Sequence, residues 1–477
     1  MKKLFLISVV LALAVLLASC SEDRSVTPAD SPAASLQNID PELIAAEVAM
    51  QSNWPVDEDA IKTPAGCGYI LDIEREEIVG DIVHYSYELR IGMGPYDVIG
   101  LHRIIKERKP YRPICTRKCV MLQHGDAVGF DGVFLFGSQS AYVPDDYSFA
   151  VYLAEHEVDV WGIDQNWIIL QPGLTDFTFM AGWDMQNQIQ NLGIALGVAR
   201  FTRMLTGSGF GKIHLLGYSS GVWTGYSYLN AETQKPEMCR HAKGFVAVDG
   251  FLKTDDPVMQ ATACAYYAET KAMLDAGMYQ TDIPFGPIGY LAATDPSGDS
   301  PIVPGYPNHL VAMIFGAATH VFSPFTPWYH YVAGEFDENG IPIGLQFTTD
   351  AIWFDFLMTA CAYEPNAFQA EYLALVCDSP DLPHDDHLGE ITVPVMNVSA
   401  AGGLGPLSSY TLTLLGSTDV TNLSIQLLPD GYAAADFGHI DIFIGDNAEA
   451  LIWGPVMEWI DAHSMKEERC GPRGRKF

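Results

Sequence analysis

Apolar and polar residues alternate along three segments in the first quarter of the chain. Residues 69–73, 82–90 and 98–104 follow the period of two that is typical of strands with one buried face. A helical pattern at 42–50 precedes them. Three alternating segments in succession predict that the domain begins as a meander of strands.

Short continuous apolar runs replace this alternation further along the chain, and helical patterns separate several of them. The runs are 120–123, 158–163, 212–216, 244–248, 393–398 and 423–428. The stretch from Asp184 to Leu205 has apolar residues at helical spacing and ends at Gly207. Buried runs that alternate with helices predict an α/β fold, with a mostly parallel sheet flanked by helices on both faces.

The middle of the chain, 251–390, breaks this alternation. It is rich in aromatic residues and proline, and its patterns are mostly helical. We therefore predict one enlarged sheet domain in two parts, 41–250 and 391–465. A large, mainly helical cap is then inserted between the strands near residues 248 and 393.

The N-terminus has the pattern of a secretory signal. Lys2 and Lys3 precede an apolar run, 4–17, that is too short to span a membrane comfortably as a free helix. Residues 1–19 are therefore predicted to be a signal peptide, and the rest of the chain is predicted to be exported. At the other end of the chain, residues 466–477 are assigned to a tail.

The end of the apolar run resembles a bacterial lipobox, because it has the sequence Leu17-Ala18-Ser19-Cys20. In lipoproteins with this motif the cysteine becomes the new N-terminus and carries acyl chains. The resemblance implies a protein that Cys20 anchors to a membrane, at the bacterial outer membrane or cell surface, with 20–40 as lipidated N-terminus and tether. The alternative is an ordinary cleaved signal with a chance cysteine.

Composition narrows the classes of function. Of 477 residues, 59 are Asp or Glu and 26 are Lys or Arg, which gives a formal charge of −33. Nucleic acid is excluded as the main partner, because the basic residues form no cluster that could release counterions from a polyphosphate. Hydrophobic residues make up 48% and charged residues 18%, which is typical of a protein with a large packed core.

The cysteines and one histidine pair are candidates for disulfide bridges or for metal ligands. Eight cysteines beyond Cys20 are an even number in an exported chain, so disulfides are predicted without a pairing. For Cys115 and Cys119 a local disulfide is favoured, because two further zinc ligands at matching spacing are missing. His384 and His387 could bind a metal, but an exposed acidic loop is favoured, and no metal or organic cofactor is predicted.

One motif, Gly217-Tyr218-Ser219-Ser220-Gly221, follows a predicted strand and opens a predicted helix. A serine on such a turn is held in a strained backbone conformation that exposes its Oγ. The flanking Gly217 and Gly221 let the strand and the helix approach closely. The motif in this context predicts Ser219 as a nucleophile that attacks a carbonyl carbon.

Attack by Ser219 creates an oxyanion that needs hydrogen-bond donors. The amide of Ser220 lies at the predicted helix N-terminus, where the helix dipole favours negative charge. The second predicted donor is the amide of Asp126, which follows His124-Gly125 at the end of an earlier strand. Its carboxylate is unusual there, since it opposes a second negative charge unless it is paired or turned away.

His439 is the predicted base. It lies in a loop between the last predicted strand and the last predicted helix, and in this architecture that loop returns over the nucleophile. An imidazole in that place can accept the serine proton and pass it to the leaving group. The alternative is a histidine on a surface loop.

Several segments carry a resemblance to a known family. They include 53–58, 101–104, Leu122-Gln123-His124-Gly125, Asp159-Val160-Trp161-Gly162, the motif at 217–221 and Gly438-His439-Ile440-Asp441. With these segments the chain resembles the α/β-hydrolase superfamily and, within it, the acid lipases related to gastric and lysosomal lipases. The resemblance implies cleavage of carboxylic esters, often of lipids, beneath a mobile cap and without a cofactor. It also implies that Ser219 is the nucleophile, His439 the base, and the amides of Asp126 and Ser220 the oxyanion hole.

The triad acid departs from the pattern of those lipases. They carry an aspartate in a loop that corresponds to 399–406, and this loop contains no carboxylate here. The nearest solution in the superfamily is an acid at the end of the preceding strand, which predicts Asp249. Asp436 is the second candidate, and Asp419 and Asp430 stay open.

These patterns favour an exported, lipid-anchored serine hydrolase that cleaves carboxylic esters through an acyl-enzyme on Ser219. Aromatic residues of the predicted cap suggest an apolar or aryl group in the ester or lipid substrate. An amidase or peptidase would use the same triad. The alternative from another class is a non-catalytic surface protein that uses the hydrolase scaffold for binding.

Overall fold

The computed structural model describes residues 70–322, 326 and 328–464. The predicted signal peptide, Cys20 with its tether, and the tail at 466–477 lie outside these residues. Within them, no helix is both long and apolar enough to cross a membrane.

The described residues form fourteen strands. They are β1 Ile70–Val79, β2 Ile82–Arg90, β3 Val98–Lys109, β4 Arg112–Pro113, β5 Cys119–Gln123, β6 Asp159–Asp164, β7 Ile213–Tyr218, β8 Ala242–Val248, β9 Gln280–Asp282, β10 Gly334–Phe336, β11 Pro342–Leu345, β12 Tyr363–Pro365, β13 Val395–Ala400 and β14 Val420–Ile425.

The described residues also form twelve α-helices. They are α1 Phe130–Phe134, α2 Phe149–Glu155, α3 Met185–Leu205, α4 Ser220–Thr233, α5 Pro257–Asp275, α6 Phe285–Thr294, α7 Asn308–Ala317, α8 Asp350–Met358, α9 Asn366–Cys377, α10 Gly405–Thr413, α11 Asp441–Ile444 and α12 Gly454–Ala462.

One large sheet organises the fold. Its strand order is β1-β2-β3-β6-β5-β7-β8-β13-β14, with β4 paired to β3. The first three strands form the predicted meander, and β3 also runs antiparallel to β6. From β6 to β14 all neighbours are parallel, which confirms the predicted α/β fold with a mostly parallel sheet.

Side chains alternate between two apolar cores, one on each face of the sheet. On β5, Val120 and Leu122 belong to one core, and Cys119 and Met121 belong to the other. Helices cover both faces, so the parallel strands are continuously apolar as predicted. The segment between β8 and β13 contains α5 to α9 and two small two-stranded sheets, β10-β11 and β9-β12.

Two segments that carried the family resemblance meet in a buried ion cluster. Arg103 on β3 donates from Nε to Oδ1 of Asp159 at 2.9 Å, and Arg203 on α3 donates to Oδ2 at 2.6 Å. All three side chains are buried, and both guanidinium groups donate to the carboxylate of Asp159. The cluster therefore attaches α3 to strands β3 and β6 of the sheet.

The predicted disulfide between Cys115 and Cys119 is wrong. Cys119 is a free, buried thiol on β5, and burial raises its pKa to about 12. On β5 the side chain of Cys119 faces the core, so its Sγ cannot reach that of Cys115. Cys115 and Cys239 each take part in a disulfide bond, and Cys264 is bonded to Cys377.

The last predicted strand begins and ends earlier than its apolar pattern indicated. The run at 423–428 was expected to pair, but β14 covers Val420–Ile425, opposite Val395–Ala400 on β13. Leu427 and Leu428 leave the sheet, and their amides donate to the carboxylate of Asp436. Most side chains of this edge strand are exposed, which is why apolar residues do not mark it.

Candidate active site

Ser219 stands on the turn between β7 and α4, as the motif predicts. Its backbone has φ 55° and ψ −123°, a left-handed region that non-glycine residues rarely adopt. A side chain on Gly217 would overlap the carbonyl of Gly221. A Cβ on Gly221 would lie 2.5 Å from the carbonyl oxygens of Gln123 and His124. The two glycines thus permit the close crossing of strand and helix.

His439 and Asp249 are in direct contact. Nδ1 of His439 lies 2.5 Å from Oδ2 of Asp249, and both side chains are buried. Because the carboxylate accepts the Nδ1 proton, the free lone pair of the imidazole is on Nε2. His439 lines the same cavity as Ser219. The structure therefore brings together the three residues that the sequence assigned to a triad.

The loop at 399–406 surrounds Asp249 although it carries no carboxylate of its own. Oδ1 of Asp249 accepts a hydrogen bond from the amide of Ala400 at 2.9 Å, and Oδ2 accepts one from Leu404 at 3.0 Å. A Cβ on Gly403 would overlap Oδ2. The small residues of the loop thus leave space for an acid that projects from the end of the neighbouring strand, β8.

Asp436 is directed away from this contact. Its carboxylate accepts hydrogen bonds from the amides of Leu427, Leu428 and Phe437, at 2.7 to 3.1 Å. Asp419 accepts from His463, and Asp430 from Gln426. Of the four candidate acids, Asp249 is the one that contacts His439.

Tyr218 packs directly on the imidazole. Its ring lies 4.7 Å from that of His439 with planes 25° apart, and its hydroxyl donates to the His439 carbonyl at 3.2 Å. The tyrosine thus holds both the ring and the backbone of His439.

The predicted oxyanion donors flank Ser219. Ser220 begins α4, so its amide has no partner within the helix. Gly125 approaches so closely that a Cβ there would lie 2.9 Å from Cβ of Ser219. The backbone carbonyl of the next residue, Asp126, accepts a hydrogen bond from Nε1 of Trp167 at 3.0 Å. Neither the Asp126 nor the Ser220 amide donates to another described residue, so both can face a ligand.

The Asp126 carboxyl group has another acid as its neighbour. Glu364 on β12 lines the same cavity, and the charges of the two groups interact. Burial raises the pKa of Asp126, and burial together with the Asp126 charge raises that of Glu364 well above its usual range. Burial and mutual repulsion therefore favour a proton on one of the two groups.

The cavity at Ser219 has a volume of about 240 Å³. The segment between β8 and β13 supplies one wall, with Ile283, Phe285, Tyr329, Tyr331, Phe356, Glu364, Gln369 and Tyr372. Other aromatic residues of that segment have different places, since Trp353 is buried in the core and Tyr290 is exposed. Some of the aromatic residues therefore shape the cavity, and others only pack.

Glu364, Gln369 and Tyr372 were missed by sequence reasoning. Glu364 lies on a three-residue strand and the other two on α9, and no motif surrounds them. They reach the cavity through tertiary packing alone. The one signal in the sequence for an interacting group near Asp126 was the unusual carboxylate of Asp126 itself, beside the predicted oxyanion donors.

One group of described residues could in principle offer three metal-ligating atoms, His84, His102 and Asp131. Nε2 of His84 lies 2.9 Å from Nδ1 of His102, and Nε2 of His102 bonds Oδ2 of Asp164 at 3.0 Å. The two imidazole nitrogens therefore point at each other, as in a hydrogen-bond chain. His384 and His387 contact different carboxylates, those of Glu371 and Glu390.

A parallel sheet with a serine on a strained strand-to-helix turn defines the class: the chain has the α/β-hydrolase fold. It is similar to the crystal structure of a "putative lipase" from Sulfolobus solfataricus, with 19% identity, 82% of this chain and 99% of that chain covered, and a TM-score of 0.56. It also matches a soluble variant of monoglyceride lipase from Saccharomyces cerevisiae, with 10% identity, 85% and 100% covered, and a TM-score of 0.42. No protein-family model and no curated protein matches the chain.

The similarity to the Sulfolobus structure confirms the predicted α/β-hydrolase fold. The narrower resemblance to acid lipases stays a prediction. The roles of Ser219, His439 and Asp249 are likewise proposals, which the geometry supports.

Proposed function

We propose that the protein is an exported, lipid-anchored serine hydrolase that cleaves carboxylic esters through an acyl-enzyme on Ser219. The observation that carries the proposal is the contact between His439 Nδ1 and Asp249 Oδ2 in the cavity that also holds Ser219. An imidazole held in this way has one free nitrogen, which a general base requires.

The proposed reaction begins when Ser219 Oγ attacks the ester carbonyl carbon and His439 Nε2 accepts its proton. Asp249 keeps the imidazole in orientation and stabilises the cation that forms. The amides of Asp126 and Ser220 donate to the oxyanion. His439 then protonates the departing alcohol, and water releases the acyl group by the reverse sequence. This chemistry requires no metal or organic cofactor.

A fluorophosphonate probe tests the nucleophile. We expect one covalent adduct per wild-type protein by intact-mass spectrometry, and none on Ser219→Ala, because only an activated serine attacks phosphorus at a useful rate. Ser138→Ala, which removes an exposed hydroxyl elsewhere, should keep the adduct. A folded wild-type protein that stays unlabelled would instead support the non-catalytic binding protein.

The largely aromatic cavity wall supports an apolar or aryl group in the substrate. An amidase or peptidase with the same residues is the second candidate. Turnover of an ester and an amide with the same acyl group distinguishes the two, and comparable kcat/KM values for both would favour the amidase.

The proposed anchor is tested by fractionation of cells that express the full chain. Wild-type protein should sediment with membranes and Cys20→Ala should not, because one residue carries the acyl chains. Ser21→Ala, which keeps the cysteine, is the matched control. Equal sedimentation of wild type and Cys20→Ala would refute anchoring and leave the hydrolase proposal untouched.

A further inference from the structure

A buried pair of carboxyl groups lies beside the proposed nucleophile and is not used by the proposed reaction. Asp126 and Glu364 both line the cavity, and the charges of their carboxyl groups interact. Oδ1 of Asp126 and Oε1 of Glu364 are buried, and no N–H or O–H of the described residues reaches them. Two acids beside each other without such donors repel as carboxylates, which favours a proton on one of them.

The surroundings of the pair hold it in place without neutralising it. Nε2 of Gln369 donates to Oε2 of Glu364 at 2.7 Å. Glu364 is 4% exposed, so its carboxyl group is held inside the protein. Burial and the Asp126 charge together favour the protonated form of Glu364.

The cavity lacks a positive charge that could balance the pair. Among the described residues that line it there is no lysine or arginine, and His439 is engaged with Asp249. Burial, and after it the charges of Asp126 and Glu364, raise the pKa values of Tyr331 and Tyr372, and Tyr329 and Phe285 add further rings to the wall. Carboxylates among aromatic rings form a favourable environment for an organic cation.

We propose that the cavity binds molecules that carry a protonated amine, and that the ammonium group is held between the carboxylates of Asp126 and Glu364. The ammonium supplies three N–H donors and one positive charge, so both unpartnered oxygens gain a donor. The pair then releases its shared proton to solvent, and the charge balance of the cavity is unchanged. Since this inference rests on the proposed function, the substrate class is an amine-bearing ester.

The same binding removes the conflict at the oxyanion donors. The carboxyl group of Asp126 belongs to the residue whose amide is a predicted donor, so an uncompensated charge there would oppose the oxyanion. A bound ammonium group compensates that charge during the reaction. Asp126 and Glu364 are thus specificity-determining residues, which recognise a part of the substrate other than the scissile bond.

Calorimetry with a matched pair of ligands tests the inference without turnover. The probes are 2-phenylethylammonium and its neutral match, 2-phenylethanol, titrated into the purified protein near neutral pH in two buffers of different ionisation enthalpy. We expect the ammonium to bind at least about tenfold more tightly than the alcohol. We also expect the release of close to one proton for each ammonium bound, because the pair ionises.

Glu364→Gln should weaken ammonium binding at least about tenfold and abolish the proton release, since the amide has no proton to lose. Asp126→Asn should likewise weaken ammonium binding at least about tenfold, which guards against misfolding of either variant alone. Glu335→Gln, at an exposed position on β10, makes the same change in net charge. It should leave the affinity for each ligand within about twofold of wild type. Circular dichroism verifies that each variant is folded.

Equal affinity for the ammonium and the alcohol, or proton release that survives Glu364→Gln, would overturn the inference. The fluorophosphonate result separates this failure from failure of the proposed function. A protein that is labelled at Ser219 but does not prefer the ammonium is a hydrolase with another substrate class. A protein that binds the ammonium but is not labelled has the cation site without the proposed chemistry.

Discussion

Asp249→Asn is expected to lower kcat about 10⁴-fold with little change in KM. An asparagine in this position can present its NH₂ group to Nδ1 of His439, which would move the imidazole proton to Nε2 and leave no base for Ser219. It also cannot stabilise the imidazolium. Hydrolysis of a chromogenic ester over a range of substrate concentrations gives both constants, and near-ultraviolet circular dichroism shows whether the fold is kept.

Asp436→Asn is the matched control, because Asp436 was the second candidate for the acid. Its carboxylate binds backbone amides of the 427–437 region and does not contact His439. We expect the kcat of Asp436→Asn to stay within about tenfold of wild type. Its main effect should be a lower free energy of unfolding. The relocated acid would be refuted if Asp249→Asn were fully active and Asp436→Asn inactive.

Gly403→Ala is expected to lower kcat by about 10²-fold. The added methyl group would overlap Oδ2 of Asp249, and backbone on both sides of the carboxylate limits how far it can move. The resulting displacement would lengthen the contact between Asp249 and His439. Gly211→Ala is a suitable control, since no atom lies within 4 Å of the position its Cβ would take.

A double variant separates this effect from general damage to the loop. If Gly403→Ala acts through Asp249, then adding it to Asp249→Asn should lower kcat little further, because the affected contact is already lost. Fully additive losses would show that the methyl group disturbs something else. Both comparisons use the same ester assay and the same test of folding.

Local patterns predicted the scaffold because its main elements have clear sequence signatures. The meander strands and α3 each repeat one period, the parallel strands are continuous apolar runs, and the turn of Ser219 is a contiguous motif. Asp249 was the first candidate for the triad acid, but the sequence left Asp436, Asp419 and Asp430 open. The choice between them depends on the amides of Ala400 and Leu404, whose directions only the folded loop defines.

The failures have equally specific causes. Cys119 looked like half of a local bridge, although strand alternation places it inside a core. The edge strand β14 has exposed side chains and therefore no apolar signature. Glu364 is far from Asp126 in sequence and is brought near it by tertiary contacts of 360–361 with 127–128. Contacts of this kind carry no local periodicity.

The disulfide between Cys264 and Cys377 links the cavity wall to the redox state of the surroundings. It joins α5 to α9, and α9 carries Gln369 and Tyr372 into the wall. The bond spans 113 residues, so it restricts most of the unfolded chain between β8 and β13. A compartment rich in reducing thiols would remove that restriction. Reduction would therefore lower the stability of the segment that forms this wall, so the shape of the cavity depends on the compartment in which the chain folds.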